Sequence, residues 1–513
     1  MTARALDPVS IGSAPLDVDE LVRVARGASV TLEPAAVDRI RAGRAIVDAA
    51  IAGPDLVYGL NTGLGHLRDE RIEVDALRRY QEAIVASHAG GIGPPLPTDI
   101  VRAAMAVRLA GIARGGSGAT LAAAEALAAL LNAGVHPVVP TIGSVGASDL
   151  MHMADIALVL LGAGRAEHRG VVLPGDEALR RAGLEPLRME PKDGLALISA
   201  NGVAIGRAAL TVTRAAQVAA AADVVGALSL EAVGGNPSVV EPAVAAAKPV
   251  DGQIVAAARI RAFLAGSERC RPGGPQSVQD PLSFRVIPQV HGALREFVAL
   301  GTRAVATELA AMDDNPLVAI DEGRLISNGN FQPIVLALAM DALRPAIAHV
   351  GLLADRRLGH VWSALWSEPE LLTPDGLERL TREGGRPLLR YAAATRLAAL
   401  RGLAGPASLD VPTLDLGVED HATNAPETVA RTDDALDALD DILAIELILA
   451  AEVIRRGGHE SSLGAGTAAA FGVVAGIVGA GRGKPSAEVA ALVRDALAGA
   501  ILDAAETAAG VAR

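Results

Sequence analysis

Two loops hold the residues whose types and spacing best suit chemistry. The first, Thr141-Ile142-Gly143-Ser144-Val145-Gly146-Ala147-Ser148-Asp149-Leu150, runs directly into the apolar stretch Ile156-Ala157-Leu158-Val159-Leu160-Leu161. Gly143 and Gly146 permit backbone conformations closed to other residues, and Ser148 then Asp149 stand where a helix takes its N-cap. Asp149, His152 and Asp155 follow one another at i, i+3 and i+6, so they share part of one helical face. Such a trio can ligate a metal or run acid–base chemistry. An N-capping Asp followed by surface polar residues is the simpler reading of the same spacing, and no metal site is expected. The second loop, Tyr58-Gly59-Leu60-Asn61-Thr62-Gly63-Leu64-Gly65, is too rich in Gly for the interior of a helix or strand. It reads as a mobile loop presenting one of only three tyrosines in the chain. A phenol normally titrates near pH 10, so a tyrosine base needs a site that stabilises the phenolate. A buried tyrosine in a glycine turn is the alternative.

The elements that must position these loops are mostly helical. Residues 17–53 read as two short helices, the second opened by Pro34 at a helix N-terminus. Helical spacing returns over 75–88, 98–114 and 119–133, while Gly170-Val171-Val172-Leu173-Pro174-Gly175 reads as a short hairpin or strand. From about Asp193 the pattern becomes long and Ala-rich, with runs at 203–232, 286–312, 332–356, 428–455 and 485–509. Several exceed the usual helix length, which points to long antiparallel bundle helices. No regular strand–helix alternation and no fixed-period repeat is present. The expected organisation is mostly α, with a mixed N-terminal portion over 1–192 carrying both loops and a long-helix bundle over 193–513.

Bulk properties bound the function. The chain has 513 residues, 51% hydrophobic and 20% charged, enough for a large core; length alone suggests about three or four domains. Its net charge of -13 lacks the basic footprint of a nucleic-acid binder. The single cysteine, Cys270, excludes an internal disulfide, fits a reducing compartment and reads as structural. Met1-Thr2-Ala3-Arg4-Ala5-Leu6-Asp7-Pro8 lacks the apolar core of a signal peptide. The uncharged span Leu463–Gly481 is Gly/Ala-rich, and a buried helix is expected there, not a membrane span. A cytoplasmic protein with no membrane or nucleic-acid partner follows.

Five further polar islands lie between apolar helices: Ser87-His88, Asn201-Gly202, Gln279-Asp280-Pro281-Leu282-Ser283-Phe284-Arg285, Asn328-Gly329-Asn330-Phe331 and Gly417-Val418-Glu419-Asp420-His421. Taken with the two loops and in this order, they resemble the histidine and aromatic amino acid ammonia-lyases over most of the chain. In that family an Ala-Ser-Gly triplet cyclises to the electrophile methylidene-imidazolone (MIO). The amide nitrogen of the third residue attacks the carbonyl of the first, and the Ser loses water to become an alkene. Gly is favoured third because the missing Cβ permits the tight turn. This chain has Ala147-Ser148-Asp149, consistent with a one-residue deletion, since the family usually has Asp and Leu just after the triplet. A Cβ on the third residue opposes the cyclisation.

The resemblance implies roles for the islands. Tyr58 matches the tyrosine that takes a proton from substrate, and Ser87-His88 matches the histidine-specific version of the pair that reads the substrate side chain. Asn201 matches the amide that supports the prosthetic group, Gln279 and Arg285 the carboxylate-holding segment, and Phe331 a wall of the site. An Arg–carboxylate pair of this kind is charge-assisted and potentially bidentate. Glu419 matches the acid of the histidine branch, able to pair with an imidazolium or move a proton. Taken singly, His88 reads as a satisfied structural histidine, Asn328-Gly329 as a turn and Phe331 as core. Leu282 and Val418 replace the family's Tyr and Gln. The resemblance implies an ammonia-lyase-like fold, a homotetramer with sites shared between subunits, and ammonia elimination from L-histidine or a similar amino acid. MIO from Ala147, Ser148 and Asp149 is the one cofactor it implies. The alternatives are a member without MIO that performs another elimination or isomerisation, or a non-catalytic amino-acid-binding homologue.

Overall fold

The computed structural model describes residues 6–12, 14–271, 277–366, 373–383, 385–409, 411–481 and 483–511. Met1–Ala5, the start of the stretch read above as lacking a leader's apolar core, lie outside the described residues. The fold is mostly α, as expected, and its helices begin where side chains satisfy their first amides. Helix α1 (Val18–Ala25) opens with a capping box: the Glu20 amide donates to Asp17 Oδ1 at 2.7 Å and the Asp17 amide to Glu20 Oε2 at 3.1 Å. Helix α2 (Pro34–Ala52) carries its proline in the first turn, where no amide hydrogen is needed. Helices α3 (Leu77–His88), α4 (Thr98–Ala113) and α5 (Leu121–Ala133) match the expected spans to within two residues. They are followed by α6 (Leu150–Leu160), α7 (Gly175–Ala182), the short α8 (Asp193–Ile198) and the long α9 (Gly202–Val233).

The strands are short. The expected hairpin exists as β6 (Arg165–His168) and β7 (Val171–Pro174), and β4 (Val135–Pro137) extends it to three strands. Three further pairs carried no alternation long enough to read. These are β1 (Val9–Ile11) parallel to β2 (Val30–Leu32), β3 (Ile92–Pro95) with β5 (Pro140–Ile142), and β8 (Leu317–Ala319) with β9 (Arg324–Ile326).

In space the chain groups into two compact units, each gathering separate stretches. The first comprises Met1–Val212, Gly301–Met340 and Pro406–Ala430; the second comprises Thr213–Leu300, Asp341–Gly405 and Arg431–Arg513. The portions 1–192 and 193–513 were drawn along the chain, whereas these units follow proximity, and all but one of the dividing points fall inside long helices.

The first unit is organised around α4, which is buried on nearly every side, its arginines included. Arg102 gives its guanidinium to the carbonyls of Val24, Ala28 and Leu131 at 2.9–3.0 Å, and Arg108 forms a two-point pair with Asp314 at 2.7 and 3.3 Å. The second unit buries its own charges in pairs. Arg357 and Glu446 are both fully enclosed and joined at 2.6 and 3.0 Å, and Ser229 donates to the same carboxylate at 2.7 Å. Asp223 is held by His291, Arg259 and Arg295 at 2.9, 3.1 and 2.6 Å. Cys270 is buried in this unit, and burial pushes its thiol up to about 12, which leaves it an unreactive core residue as expected.

Two expectations are corrected here. The run 485–509 is not one helix: Ser486–Ala496 and Leu502–Ala509 flank a π-turn, where Gly499 leaves helical geometry (φ -115°, ψ -108°). The span within Leu463–Gly481 forms a 16-residue helix, Ala465–Ala480, too short to cross a bilayer, but it is not buried all round. Only Gly466, Thr467, Ala470 and Val474 are enclosed, since small residues fill one face and leave the other open. Two longer helical stretches, Asp193–Val233 and Ile334–Trp366, are long and apolar enough to cross a membrane, and the most apolar window of the first is 89% buried within the protein.

Helix α8 packs its first turn onto α3 with no space for a side chain. A Cβ on Gly194 would sit 2.4 Å from the Gln81 carbonyl oxygen, while the Gln81 side chain accepts from the Leu195 amide at 3.1 Å. Gly194→Ala is therefore expected to destabilise the protein by about 1–3 kcal/mol, the usual penalty of overpacking. Urea denaturation of the two proteins measures it.

Candidate active site

A cavity of about 630 Å³ opens in the first unit, a volume suited to a small ligand. One wall is a stripe on α3: Tyr80, Ala83, Ile84, Ser87 and His88, at the i, i+3, i+4, i+7, i+8 spacing of a single helical face. His88 Nδ1 lies 2.8 Å from the Ile84 carbonyl oxygen, which fixes the hydrogen on Nδ1 and leaves Nε2 as the free acceptor.

The Tyr58 loop forms the second wall. Its backbone is held from within rather than left loose. Asn61 accepts from the Val57 amide at 2.7 Å and donates to the Asp55 carbonyl at 2.9 Å, and Thr62 accepts from the Gly59 amide at 3.2 Å. The Gly65 amide donates to the Tyr58 hydroxyl oxygen at 3.2 Å, an interaction that strengthens if the phenol ionises. Burial nevertheless raises the Tyr58 pKa, and the carboxylates of Glu419 and Asp415 add to the rise.

Segment 414–419 closes the third side. Leu414 and Glu419 bridge through their backbones at 2.8 and 3.3 Å. Asp415, in the left-handed region at φ 44°, accepts from the His66 amide at 3.1 Å and pairs with His66 Nδ1 at 2.7 Å. Gly65 must be glycine for this clamp, because a Cβ there would overlap the Asp415 carboxylate. Burial raises the Glu419 pKa, Asp415 raises it further, and His88 opposes the rise.

The floor is the loop 143–151. Ala147 and Ser148 line the cavity, and Ser148 takes φ 56°. The Ser148 amide donates to the Phe331 carbonyl at 3.3 Å, and Asn201 Nδ2 donates to the same oxygen at 2.8 Å. Asn201 is fully buried, its Oδ1 has no hydrogen-bond partner, and its amide donates to Asp313 at 3.3 Å. Asp149 does not line the cavity. It holds the N-cap position of α6 without capping it: its carboxylate makes no bond to α6 amides. Instead Oδ2 accepts from the Ala204 amide at 2.8 Å, in the first turn of α9, with the Val203 amide adding to it, and Oδ1 accepts from the Ser144 hydroxyl at 2.7 Å. The expected cap is thus real but serves another helix. Asp149 is wholly buried, and burial raises its pKa while the α9 amides oppose the rise.

The structure thus brings Tyr58, His88, Ala147, Ser148, Phe331 and Glu419 to one cavity, with Asn201 and Asp149 directly behind its floor. Gln279 and Arg285 lie in the second unit, where the Gln279 amide oxygen accepts from Arg285 Nη2 at 2.9 Å. Leu282 also belongs to that unit and is exposed, and Val418 does not line the cavity. His152 is buried, burial holds Asp155 up to about 6, and no cluster of metal-ligating side chains exists among the described residues. Sequence reading missed Tyr80, His66 and Asp415. The α3 stripe could have shown Tyr80, eight positions before His88; His66 and Asp415 are 349 residues apart and carried no signal.

Residues 16–475 match the family described as aromatic amino acid lyase, and the chain belongs to that family of carbon–nitrogen lyases. It is 39% identical over 463 residues to the histidine ammonia-lyase of Anaeromyxobacter sp. (strain K), covering 88% of this chain and 90% of that one. Among solved structures it is similar to the ergothioneine-degrading enzyme ergothionase from Treponema denticola (TM-score 0.89, 27% identity, 97% and 99% of the two chains). It is also similar to histidine ammonia-lyase from Trypanosoma cruzi (TM-score 0.84, 27% identity, 98% and 96%).

The family is MIO-dependent, so the fit of the group can be tested here. Asn201 and Phe331 stand beside Ser148, where supporting residues belong. The triplet itself does not fit. Cyclisation would bring the Asp149 nitrogen onto the Ala147 carbonyl carbon, yet that nitrogen donates to the Ala200 carbonyl at 2.8 Å. The Asp149 side chain is anchored on the opposite side by Ser144 and the start of α9. Asp149 is thus engaged through both its amide and its carboxylate, and no glycine stands third in the triplet.

Two predictions follow from these buried acids. Asp149→Ala leaves the Ala204 amide and Ser144 hydroxyl without their acceptor, a penalty of about 1–3 kcal/mol for an unsatisfied buried group, visible as a lower Tm; Asp149→Asn, which keeps one acceptor, is expected to lose less. Burial, with Asp314 beside it, holds Asp313 up to about 6, and burial with Asp313 nearby holds Glu308 up to about 7. Both folded-state values are raised, so the stability these groups confer is full below their ordinary carboxylate values and is lost as pH rises through 6 and 7. Tm measured from pH 4 to 8 is expected to fall less steeply above pH 6 in Glu308→Gln than in the parent protein.

Proposed function

We propose that this protein is an ammonia-lyase-type enzyme that eliminates the α-nitrogen of L-histidine or a closely related amino acid, leaving an α,β-unsaturated acid. Family membership supports the reaction class. The observation that carries the reading is the Tyr58 hydroxyl, held by the Gly65 amide in a cavity that also presents His88 and Glu419.

Tyr58 is the base that removes the Cβ proton. Its phenolate is stabilised by the Gly65 N–H and opposed by burial and by two carboxylates, so it is a strong base once formed. The free Nε2 of His88 accepts from a substrate imidazole N–H, and Glu419 takes the other ring hydrogen or balances an imidazolium. These polar partners select imidazole over a plain benzene ring, because an apolar ring would leave both unpaired. Ala83, Ile84, Leu195 and Phe331 enclose the ring's apolar faces and exclude water. The substrate carboxylate is held by Arg285, itself oriented by Gln279, and supplied by a neighbouring subunit of a homotetramer working in the cytoplasm.

A panel of L-histidine and imidazole-bearing relatives against phenylalanine and tyrosine tests the substrate class by near-ultraviolet absorbance of the acrylate product. Product is expected only from imidazole substrates, and Tyr58→Phe is expected to lower kcat by about 10²–10⁴-fold, the range for a general base. The shared site is tested by complementation. Tyr58→Phe and Arg285→Ala are each expected to be nearly inactive, while co-expressed mixtures recover a measurable fraction of activity. Mixtures no more active than their parents exclude a site shared between subunits.

A further inference from the structure

The misfit of the triplet bears on the substrate, given the proposed elimination. If Ala147-Ser148-Asp149 stays open, the floor of the cavity offers the substrate a hydroxyl and a methyl group, not an electrophile. The Asp149 nitrogen and both carboxylate oxygens are already engaged with Ala200, Ala204 and Ser144 at 2.7–2.8 Å. The loop is closed on itself and on α9.

An elimination without an electrophile meets a proton problem. An ordinary α-ammonium group carries N–H protons far more acidic than a Cβ–H. Burial raises the Tyr58 pKa, so its phenolate would take an ammonium proton first and be quenched. A nitrogen bearing four carbon substituents has no proton to give and remains a leaving group throughout.

The walls suit such a nitrogen. Tyr58, Tyr80 and Phe331 present aromatic rings to the cavity in a chain with only three tyrosines and five phenylalanines. Asp415 and Glu419 add carboxylates, and among the described residues neither Lys nor Arg lines the cavity. Aromatic rings with nearby carboxylates are the chemistry that recognises quaternary ammonium groups, while the guanidinium of the proposed Arg285 meets the substrate carboxylate.

We propose that the Ala147-Ser148-Asp149 loop remains uncyclised and that the enzyme acts on an Nα-quaternary amino acid, the trimethylammonium betaine of an imidazole-bearing amino acid, held by Tyr58, Tyr80 and Phe331. The Tyr58 phenolate takes one Cβ proton, and that C–H electron pair becomes the Cα=Cβ bond. The Cα–N pair departs with the nitrogen, which began as a tetra-substituted cation and leaves as neutral trimethylamine. A neutral tyrosine and an acrylate anion remain, so charge and atoms balance without a further reactant. This substrate class rests on the proposed elimination chemistry, and the experiment below separates the two.

Purified native enzyme is digested and the peptide spanning Gly143–Met153 weighed, while separate samples receive L-histidine or its Nα-trimethyl betaine. The expected result is an unmodified peptide mass, acrylate with trimethylamine from the betaine, and at least about 100-fold slower turnover of histidine, the loss that follows when the general base is quenched. Tyr80→Leu is expected to raise KM for the betaine about tenfold while Tyr80→Phe restores it, because the ring and not the hydroxyl holds the cation. A peptide lighter by two waters, with ammonia released from histidine, overturns this inference and leaves the proposed elimination standing. So does an unmodified peptide with histidine turned over as fast as the betaine. Acrylate from neither substrate overturns the proposed elimination and this inference together.

Discussion

The Asp149 carboxylate is the interaction on which the first unit's active face depends. It is wholly buried, with His152 close enough to act on its charge; its hydrogen bonds come from the start of α9, where the Ala204 amide donates to it and Val203 adds to that, and from the Ser144 hydroxyl. The first amides of a helix have no partner within the helix and carry partial positive charge, so one carboxylate both satisfies donors and meets a favourable field. Because Asp149 follows directly on Ser148, this bond fixes the floor of the cavity to the start of α9. The Asp149 amide is engaged as well, donating to the Ala200 carbonyl at 2.8 Å. One residue thus sets both the geometry of the floor and its chemistry.

The rest of the cavity is assembled by contacts that close across long stretches of chain. His66 and Asp415 clamp the tyrosine loop to segment 414–419 from 349 positions apart, and Asn201 and Ser148 meet on the Phe331 carbonyl. Backbone in the left-handed region at Ser148, Asp415 and Leu416 marks the places where the chain bends most sharply around the site. These non-glycine residues are strained locally and held by surrounding hydrogen bonds. Such over-determined loops keep catalytic groups in register on a rigid helical frame.

The buried acids behind the floor give the site a second property. Asp313, Asp314 and Arg108 form a charge cluster under Asn201, and fully buried Lys192 lies close enough to be influenced by Asp314 and Arg108. Burial depresses Lys192 to about 8 while it raises Asp313 to about 6. Desolvation and pairing oppose each other through this cluster, so the protein carries partly compensated charge directly beneath its reacting surface.

Much of this was legible in the sequence. The 3.6-residue spacing of apolar side chains located α3 to α5 and the long Ala-rich helices, because that periodicity is intrinsic to a helix with one buried face. Glycine loops announced Tyr58 and Ser148, since only unusual backbone needs so many glycines together, and motif order identified the family. The sequence did not disclose where Gly499 breaks the last helix, because a π-turn depends on how neighbouring turns pack. Nor did it disclose the short strands, whose three or four residues are too few to show alternation. Pairings such as His66 with Asp415 are set by tertiary closure and leave no local pattern. Asp149 shows the division most clearly. Its residue type and position declared a departure from the family triplet and a helix cap, but only the folded chain decided which helix it caps, because α9 begins 53 residues after it. A carboxylate finds its donors through space, and that choice belongs to the tertiary structure.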